Sequence, residues 1–303
     1  MMKKRMLGST QLEISEIGLG CMSLGTNENE AIQTIHAALD SGINYLDTAD
    51  LYDFGQNEEI VGKALKGRRD QVILATKVGN RWTMSQDKWS WDPSKKHILH
   101  AVKESLRRLN TDYIDLYQLH GGTIEDSYEE TIEAFEELVK EGYIRHYGIS
   151  SIRPNVIERF VNHSAIQSVM MQYNLLERRP EEFFPLFEKH NISVITRGSV
   201  AKGLLSNNWK NKLSSKGYLH YSEQECKEMI EQLLQLTQDE QSLHSLAMQF
   251  ILQHKAVTTL AIGARNKEQL MDNLNAYYAK PLSSQQLDRI NDICLIGKYE
   301  EHR

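Results

Sequence analysis

Short apolar runs alternate with longer stretches of helical periodicity along almost the whole chain. Eight of the short runs predict β-strands, at residues 16–20, 44–48, 72–77, 114–119, 144–150, 168–173, 193–197 and 258–262. Helical patterns lie between them, including residues 28–41, 94–109, 130–141, 154–162, 180–190 and 242–254. Alternation of this kind is typical of a parallel sheet with helical crossovers. Eight such units in 303 residues predict an α/β fold, a (β/α)8 TIM barrel, forming a single domain over residues 1–303.

Two further elements are predicted outside the eight units. Residues 5–15 predict an N-terminal β-hairpin that turns at Gly8-Ser9-Thr10. Residues 283–297 predict an extra C-terminal helix, laid over the outside of the barrel.

Three long connections follow strands, at residues 79–93, 121–126 and 198–222. Long loops at the active face of a barrel usually form a substrate pocket or hold a cofactor. The first connection carries Trp82, Trp89 and Trp91. These side chains either anchor the connection by packing or form aromatic walls of a pocket, and the sequence favours neither interpretation.

Composition narrows the class of protein. Hydrophobic residues make up 40% of the chain and charged residues 25%, with a net charge of −6, so a large core is expected and non-specific nucleic-acid binding is not. The three cysteines, Cys21, Cys226 and Cys294, are widely spaced, which argues against a metal site and a disulfide framework and fits a reducing compartment. No signal peptide and no run of about 20 apolar residues is present. We therefore expect a cytoplasmic protein without a membrane partner.

Four polar side chains lie at or just after the ends of three successive predicted strands. Asp47 lies near the end of the second strand and Tyr52 shortly after it, Lys77 ends the third strand, and His120 directly follows the fourth. The carboxyl ends of barrel strands meet at one face, where activity is located. A phenol beside a carboxylate and a cation can donate a proton to a developing alkoxide. Taken singly, Asp47 is a turn residue and Tyr52 a core aromatic, but the four together predict a catalytic site.

These four residues resemble the Asp-Tyr-Lys-His tetrad of the aldo-keto reductase family. The resemblance extends over nearly the whole chain through further motifs, which are Gly18-Leu19-Gly20, Gly148-Ile149-Ser150, Gln172-Tyr173-Asn174, Lys202-Gly203-Leu204-Leu205, and Ile262-Gly263-Ala264-Arg265 with Asn273. It implies an NADP(H)-dependent reduction of aldehydes or ketones to alcohols. In that reaction Tyr52 would be the general acid, Lys77 paired with Asp47 would favour the tyrosinate, and His120 would orient the carbonyl.

The resemblance also implies a cofactor site. The predicted set is Gly20, Cys21, Ser150, Gln172, Arg197, Gly198, Gly203, Gly263, Arg265, Gln269 and Asn273. Ser150 and Gln172 would hydrogen-bond the nicotinamide carboxamide, although Ser151 replaces the asparagine that usually follows. Arg197 stands where the family commonly has an aromatic residue, and its guanidinium could stack on the ring or reach the pyrophosphate. Arg265 offers a forked donor for the 2′-phosphate of NADP(H), while Gln269 replaces a usual arginine.

Two other functions fit the same fold. The first is a regulatory protein that senses the cofactor with little turnover. The second is an isomerase or lyase for a phosphorylated substrate, with Gly198-Ser199 and Gly263-Ala264 as phosphate-binding loops. The second function would leave the four strand-end residues without a role.

Overall fold

The structure, a computed structural model, describes residues 2–83, 85 and 88–303. In this part of the chain, eight parallel strands close into a barrel in the order β10-β11-β12-β3-β4-β5-β8-β9. The strands are β1 (Lys4–Met6), β2 (Glu13–Ser15), β3 (Ile17–Gly20), β4 (Tyr45–Asp47), β5 (Ile73–Val78), β6 (Asn80–Trp82), β7 (Trp89–Trp91), β8 (Ile114–Leu119), β9 (Ile144–Ser150), β10 (Ser168–Gln172), β11 (Ser193–Arg197) and β12 (Val257–Gly263).

The helices surround the barrel. They are α1 (Glu28–Asp40), α2 (Gln56–Ala64), α3 (Lys95–Leu109), α4 (Tyr128–Lys140), α5 (Pro154–His163), α6 (Phe184–His190), α7 (Glu223–Leu234), α8 (Leu243–Leu252), α9 (Lys267–Tyr278) and α10 (Ser284–Ile293). The predicted TIM barrel is therefore confirmed. Among the described residues, no helix is both long enough and apolar enough to span a membrane.

Residues with a specific capping role mark the ends of α3. The Ser94 side chain accepts a hydrogen bond from the His97 amide at the start, and Asn110 takes a left-handed conformation at the end. Serine and asparagine are preferred at these positions because they satisfy backbone groups that the helix leaves unpaired. One face of α3 then buries Ile98, Val102 and Leu106 against the strands, which holds the helix on the barrel.

The barrel interior is an apolar cluster separate from the layer between strands and helices. Its buried members are Leu7, Ile14, Tyr45, Ile73, Ala75, Leu116, Met170, Ile195 and Ala261. Tyr45 fills this space because β3 has a glycine beside it: a Cβ at Gly18 would lie 2.5 Å from Tyr45 Cδ1. Leu7 and Ile14 come from the N-terminal hairpin, whose strands β1 and β2 pair antiparallel. The predicted hairpin is confirmed, and its apolar residues close one end of the barrel.

The C-terminal helix is confirmed but is shorter than the sequence predicts. It ends at Ile293, and Cys294 is already extended. The buried guanidinium of Arg178 donates to the Cys294 carbonyl. This carbonyl is therefore satisfied from outside the helix, and the chain continues as an irregular tail in which Leu295 and Ile296 are exposed.

The first long connection contains a second hairpin that the sequence analysis missed. Strands β6 and β7 pair antiparallel with Trp82 opposite Trp89 and Asn80 opposite Trp91. Aromatic pairs across two strands stabilise such a hairpin. The connection is therefore a structured arm at the carboxyl end of β5.

Candidate active site

Lys77 lies at the centre of the four predicted catalytic residues. Its side chain is fully buried, and its Nζ lies 2.5 Å from Asp47 Oδ1 and 3.1 Å from the Tyr52 hydroxyl. A third hydrogen bond of 2.7 Å goes to the Thr48 carbonyl. Burial opposes the charge on Lys77, yet the neighbouring Asp47 and Tyr52 raise its pKa well above the usual range. All three ammonium donors are satisfied, so the lysine is held as a cation.

Strand register explains how Asp47 and Lys77 meet. Asp47 pairs with Ala75 across β4 and β5. Lys77 lies two residues beyond Ala75 and therefore on the same face of β5, directed into the barrel. The long lysine side chain then reaches back to the carboxylate. Their pairing follows from the alternation of a β-strand.

Two residues absent from the sequence prediction complete the site. The Gln118 amide Nε2 donates to Asp47 Oδ2 at 3.2 Å, and the Tyr45 hydroxyl donates to the same oxygen at 3.4 Å. Both are fully buried. A signal was present, since each lies two residues before a predicted site residue (Tyr45 before Asp47, Gln118 before His120) and so shares its strand face. A buried glutamine in an apolar strand also requires a partner.

His120 lies beside the phenol. Its ring centroid is 5.9 Å from that of Tyr52, and the two rings are nearly perpendicular. Burial, followed by the positive charges of Lys77 and Arg197, lowers the pKa of His120 to about 3. The imidazole is therefore neutral near pH 7 and presents one donor and one acceptor nitrogen. Its Nδ1 is buried and has no hydrogen-bond partner among the described residues.

The predicted nicotinamide contacts lie on the neighbouring strands. Gln172 ends β10 and pairs directly with Arg197 at the end of β11. Gln172 Oε1 accepts from Arg197 Nη1 at 3.1 Å, and its Nε2 donates to the Tyr218 hydroxyl at 3.1 Å. Ser150 ends β9, the next strand. The barrel thus brings these three predicted residues together along one part of its mouth.

Tyr218 is a further residue that the sequence did not single out. It is buried, and its hydroxyl accepts from both the Gln172 and the Asn174 side-chain amides. Asn174 also donates to the Gly198 carbonyl at 2.9 Å. These bonds attach the connection at residues 198–222 to the ends of β10 and β11. No local pattern around Tyr218 indicates this role, because its partners are distant in the chain.

The end of β12 forms the last part of the predicted cofactor site. A Cβ at Gly263 would lie 2.4 Å from Ser23 Oγ, so this strand packs closely against the segment after β3. Asn273 donates to the Gly263 carbonyl. The Gln269 side chain accepts from the Arg265 amide, whereas the Arg265 side chain is exposed at the start of α9. Gly20 pairs with Gly263, which closes the ring of strands.

Two residues of the predicted cofactor set, Cys21 and Gly203, have different surroundings. Cys21 is fully buried, its carbonyl accepts from Asn57, and burial and the nearby Asp47 raise the pKa of its thiol. Its side chain is therefore enclosed in the protein near Asp47 and Lys77, two of the predicted catalytic residues. Gly203 lies in a turn against Lys212. Ser151, which replaces the usual asparagine, accepts a hydrogen bond from the Arg153 amide within its own loop.

The tryptophans of the β6–β7 hairpin divide into two groups. Trp91 donates from Nε1 to both carboxylate oxygens of Asp126 at 3.0 Å, and its ring lies where a Cβ on Gly79 would be. Trp82 contacts Phe54 edge-on. Trp82 and Trp91 therefore anchor the hairpin by packing against the segments that follow β4 and β8. Trp89, in contrast, is 59% exposed.

A closed parallel barrel with an Asp-Tyr-Lys-His set at one mouth defines a class of oxidoreductase. The Aldo/keto reductase family model matches residues 16–294, so the chain belongs to the aldo/keto reductase family. The chain is 52% identical to the "uncharacterized oxidoreductase YqkF" of Bacillus subtilis over the full length of both. It is 29% identical to the NADH-specific methylglyoxal reductase of Escherichia coli, covering 91% of this chain and 93% of that one.

Solved structures are similar over the whole length as well. The aldo-keto reductase AKR11C1 of Bacillus halodurans covers 100% of both chains, with a TM-score of 0.95 and 54% identity for the holo form. The apo form of that protein gives a TM-score of 0.86 over the same coverage. The family membership makes this chain an oxidoreductase of known architecture.

Proposed function

We propose that the protein is an NADP(H)-dependent reductase of aldehydes or ketones that uses Tyr52 as its proton donor. The observation that carries this proposal is the hydrogen bond of 3.1 Å between Tyr52 and Lys77, whose cation is paired with Asp47 inside the barrel mouth. A fixed positive charge next to a phenol favours negative charge on the phenol oxygen. The hydroxyl can then pass its proton to a carbonyl oxygen as that oxygen becomes an alkoxide.

His120 would hold the carbonyl in place. Its neutral imidazole can donate one hydrogen bond to the carbonyl oxygen without competing with Tyr52 for the proton. The lowered pKa, which burial causes, supports this role because a neutral imidazole keeps its positioning function across the ordinary pH range. When bound, the nicotinamide supplies the hydride that the carbonyl carbon accepts.

The residues on β9 to β12 fit a nicotinamide dinucleotide. Ser150 and Gln172 would hold the carboxamide, while Arg197 would cover the ring or reach the pyrophosphate. Gly20, Gly198, Gly203 and Gly263 would allow close approach of the backbone. The left-handed backbone of Gly198 (φ 66°) supports this fit, since only the Gln172 side chain lies near the place of a Cβ there. The higher TM-score to the holo than to the apo form of the Bacillus halodurans protein is consistent with it.

The proposed preference for NADP(H) rests on Arg265. Its guanidinium is exposed at the start of α9 and makes no ion pair with another described residue. Together with Lys267 it offers two cations to a 2′-phosphate, with Gln269 and Asn273 nearby on the same helix. The Escherichia coli relative is named for NADH, and NADH is therefore compared with NADPH in the test.

The test is oxidation of NADPH and of NADH by the purified protein with a panel of aromatic and aliphatic aldehydes and ketones. We expect turnover with NADPH that depends on the carbonyl compound and is lost in Tyr52→Phe. Tight cofactor binding without turnover of any carbonyl in the panel would instead support the regulatory function. Unchanged turnover in Tyr52→Phe would contradict the mechanism.

A further inference from the structure

The turn that follows Tyr52 has an unfavourable backbone. Asp53, Phe54 and Gly55 have φ values of 47°, 51° and 89°, three consecutive left-handed residues. A left-handed conformation is unfavourable for a residue with a side chain, because its Cβ lies too close to the following carbonyl oxygen, and it persists only where the surroundings hold it. The phenol of Tyr52 is carried at the start of this turn, so whatever holds the turn also influences where the phenol lies.

Arg108 of α3 is packed directly against the turn. A Cβ at Gly55 would lie 2.7 Å from Arg108 Cδ. The guanidinium carbon lies 5.5 Å from the centre of the Trp82 ring, and that ring contacts Phe54. Arg108 and Trp82 therefore enclose the turn, one from the helix side and one from the β6–β7 hairpin.

Glu58 of α2 forms hydrogen bonds both to Arg108 and to the strand that carries Lys77. Its side chain is fully buried, and Oε2 accepts from Arg108 Nε at 2.7 Å. The other oxygen accepts from Thr76 Oγ1 at 2.6 Å. Thr76 precedes Lys77 in β5, and α2 begins immediately after the turn. One carboxylate thus connects the segment carrying the phenol with the strand carrying the lysine.

The positive charge of Arg108 also acts on a second buried carboxylate, that of Asp50. Asp50 is 1% exposed. Burial, with the nearby charge of Glu58, raises its pKa, and the Arg108 cation opposes that rise. Removing one partner of a buried ion pair leaves an uncompensated charge and is strongly destabilising. A variant suited to this test therefore keeps the volume of the replaced side chain and, where the chemistry allows, its charge.

We propose that the Glu58–Arg108 pair is a positioning pair for Tyr52, which holds the left-handed turn so that the hydroxyl stays within hydrogen-bond distance of Lys77 Nζ. The inference rests on the function proposed above for Tyr52. Neither residue touches the reacting atoms. Both act through the backbone of the turn and through β5.

Two variants test the pair. Arg108→Lys keeps the positive charge but loses the several N–H donors of the guanidinium group, and Glu58→Gln keeps the shape of the side chain but loses its negative charge. The chain offers a matched control in the pair between Arg69 and Asp115, whose atoms lie 2.7 Å apart with side chains 18% and 5% exposed. Asp115 also accepts from the Leu74 amide near the start of β5. Asp115→Asn therefore weakens a comparable ion pair near the starts of β5 and β8, at the end of the barrel opposite to Lys77.

The first measurement is amide hydrogen exchange on the full chain without substrate. The Tyr52 and Phe54 amides donate within the turn, to Ala49 and Leu51. We expect both to exchange on the order of tenfold faster in Arg108→Lys and Glu58→Gln, since the turn opens locally. They should be unchanged in Asp115→Asn. Exchange rates equal to those of the wild-type protein in both variants would overturn the proposal, whatever the activity.

The second measurement is steady-state turnover. A misplacement of about 1 Å can cost on the order of 100-fold in rate, so we expect kcat to fall about ten- to 100-fold in both variants while the Kd for NADPH stays unchanged. Asp115→Asn should keep the wild-type kcat. In a Tyr52→Phe background, Arg108→Lys should cause no further loss, because residues that act as a unit are non-additive.

The outcomes separate this proposal from the function itself. If the wild-type protein reduces no carbonyl, or if Tyr52→Phe keeps its turnover, the proposed function fails and the exchange measurement alone decides the positioning pair. If turnover depends on Tyr52 but kcat is normal in both variants, the pair is structural only and the inference is wrong. An equal loss from Arg108→Lys with and without the phenol would also overturn it.

Discussion

The two parts of the barrel mouth differ in how completely their side chains are paired. On β4, β5 and β8, the Lys77 ammonium makes three hydrogen bonds and Asp47 receives donors from three side chains, all of them buried. On β11 and after β12, Arg197 and Arg265 carry exposed guanidinium groups. The proposed catalytic part is therefore held by bonds within the protein, while the proposed cofactor part presents guanidinium groups to solvent.

This difference fits the roles proposed for the two parts. Groups that stabilise charge during a reaction are most effective when they are fixed in advance, because no reorganisation is then needed as the charge develops. Groups that bind an exchangeable anion must be accessible and must give up water reversibly. Substitutions in the first part should mainly reduce turnover, and substitutions in the second should mainly reduce affinity.

Tyr52→Phe should have the largest effect. Removing the phenol hydroxyl removes the proposed proton donor, and general acid catalysis typically contributes about 10²–10⁴-fold. We expect a loss of this size in kcat with NADPH affinity close to normal, measured by turnover and by fluorescence titration. A comparable loss of affinity would show that the two parts of the mouth are not separable.

Lys77→Met should reduce turnover on the order of 100-fold, within the range for acid catalysis. Without the cation, the phenol oxygen loses the fixed positive charge that favours proton transfer to the carbonyl oxygen. Asp47 is also left as a buried carboxylate without its ion pair, which lowers the free energy of unfolding. The measurement is kcat at neutral pH beside a urea unfolding curve. An unchanged kcat would mean that Lys77 does not assist the phenol.

The His120→Gln variant tests the lowered pKa of the His120 imidazole through the pH dependence of the free energy of unfolding. The folded pKa is about 3, whereas an unfolded histidine has a pKa of about 6.5. As pH falls below about 6.5 the unfolded chain takes up a proton that the folded chain does not, so stability declines, by roughly 2 kcal/mol at about pH 5. His120→Gln should lack this share of the decline. Urea unfolding of both proteins at neutral and acidic pH measures it, and identical pH dependences would contradict the assignment.

Arg265→Ala should act on the other part of the mouth. A charge-assisted contact to a phosphate is worth about 1.5–3 kcal/mol, or roughly tenfold or more in affinity. We expect weaker binding of NADPH, little change for NADH and a normal kcat at saturation. The double variant with Lys267→Ala excludes compensation by the neighbouring cation. Equal losses for both cofactors would assign Arg265 to the adenosine or to the fold.

Tyr218→Phe should have the smallest effect. It removes an acceptor from the Gln172 and Asn174 amides, at a net cost of about 0.5–1.5 kcal/mol for each bond. Affinity should fall severalfold and equally for NADPH and NADH, unlike the result for Arg265→Ala. Tyr299→Phe is a suitable control, because that buried hydroxyl has no partner among the described residues. A reduced kcat at saturating cofactor would show that Tyr218 serves catalysis.

The sequence predicted the barrel and the four strand-end residues because both follow from short-range regularities. Apolar runs separated by helical patterns leave few alternatives to a parallel barrel. Strand ends in a barrel share one mouth, so Asp47, Tyr52, Lys77 and His120 could be grouped without coordinates. In contrast, the connection at residues 79–93 was predicted only as a long loop. Its hairpin depends on Trp82 and Trp91 finding partners in distant segments.

Contacts between distant residues were decided by the tertiary structure alone. Gln118 reaches Asp47 across 71 positions and Arg108 reaches Glu58 across 50, and neither pair carries a local signature. Their meeting requires the register of β4, β5 and β8 and the docking of α2 on α3. The chain by itself determines which side chains enter the barrel mouth, because strand alternation is local. How firmly they are held there depends on packing between elements, which only the folded molecule defines.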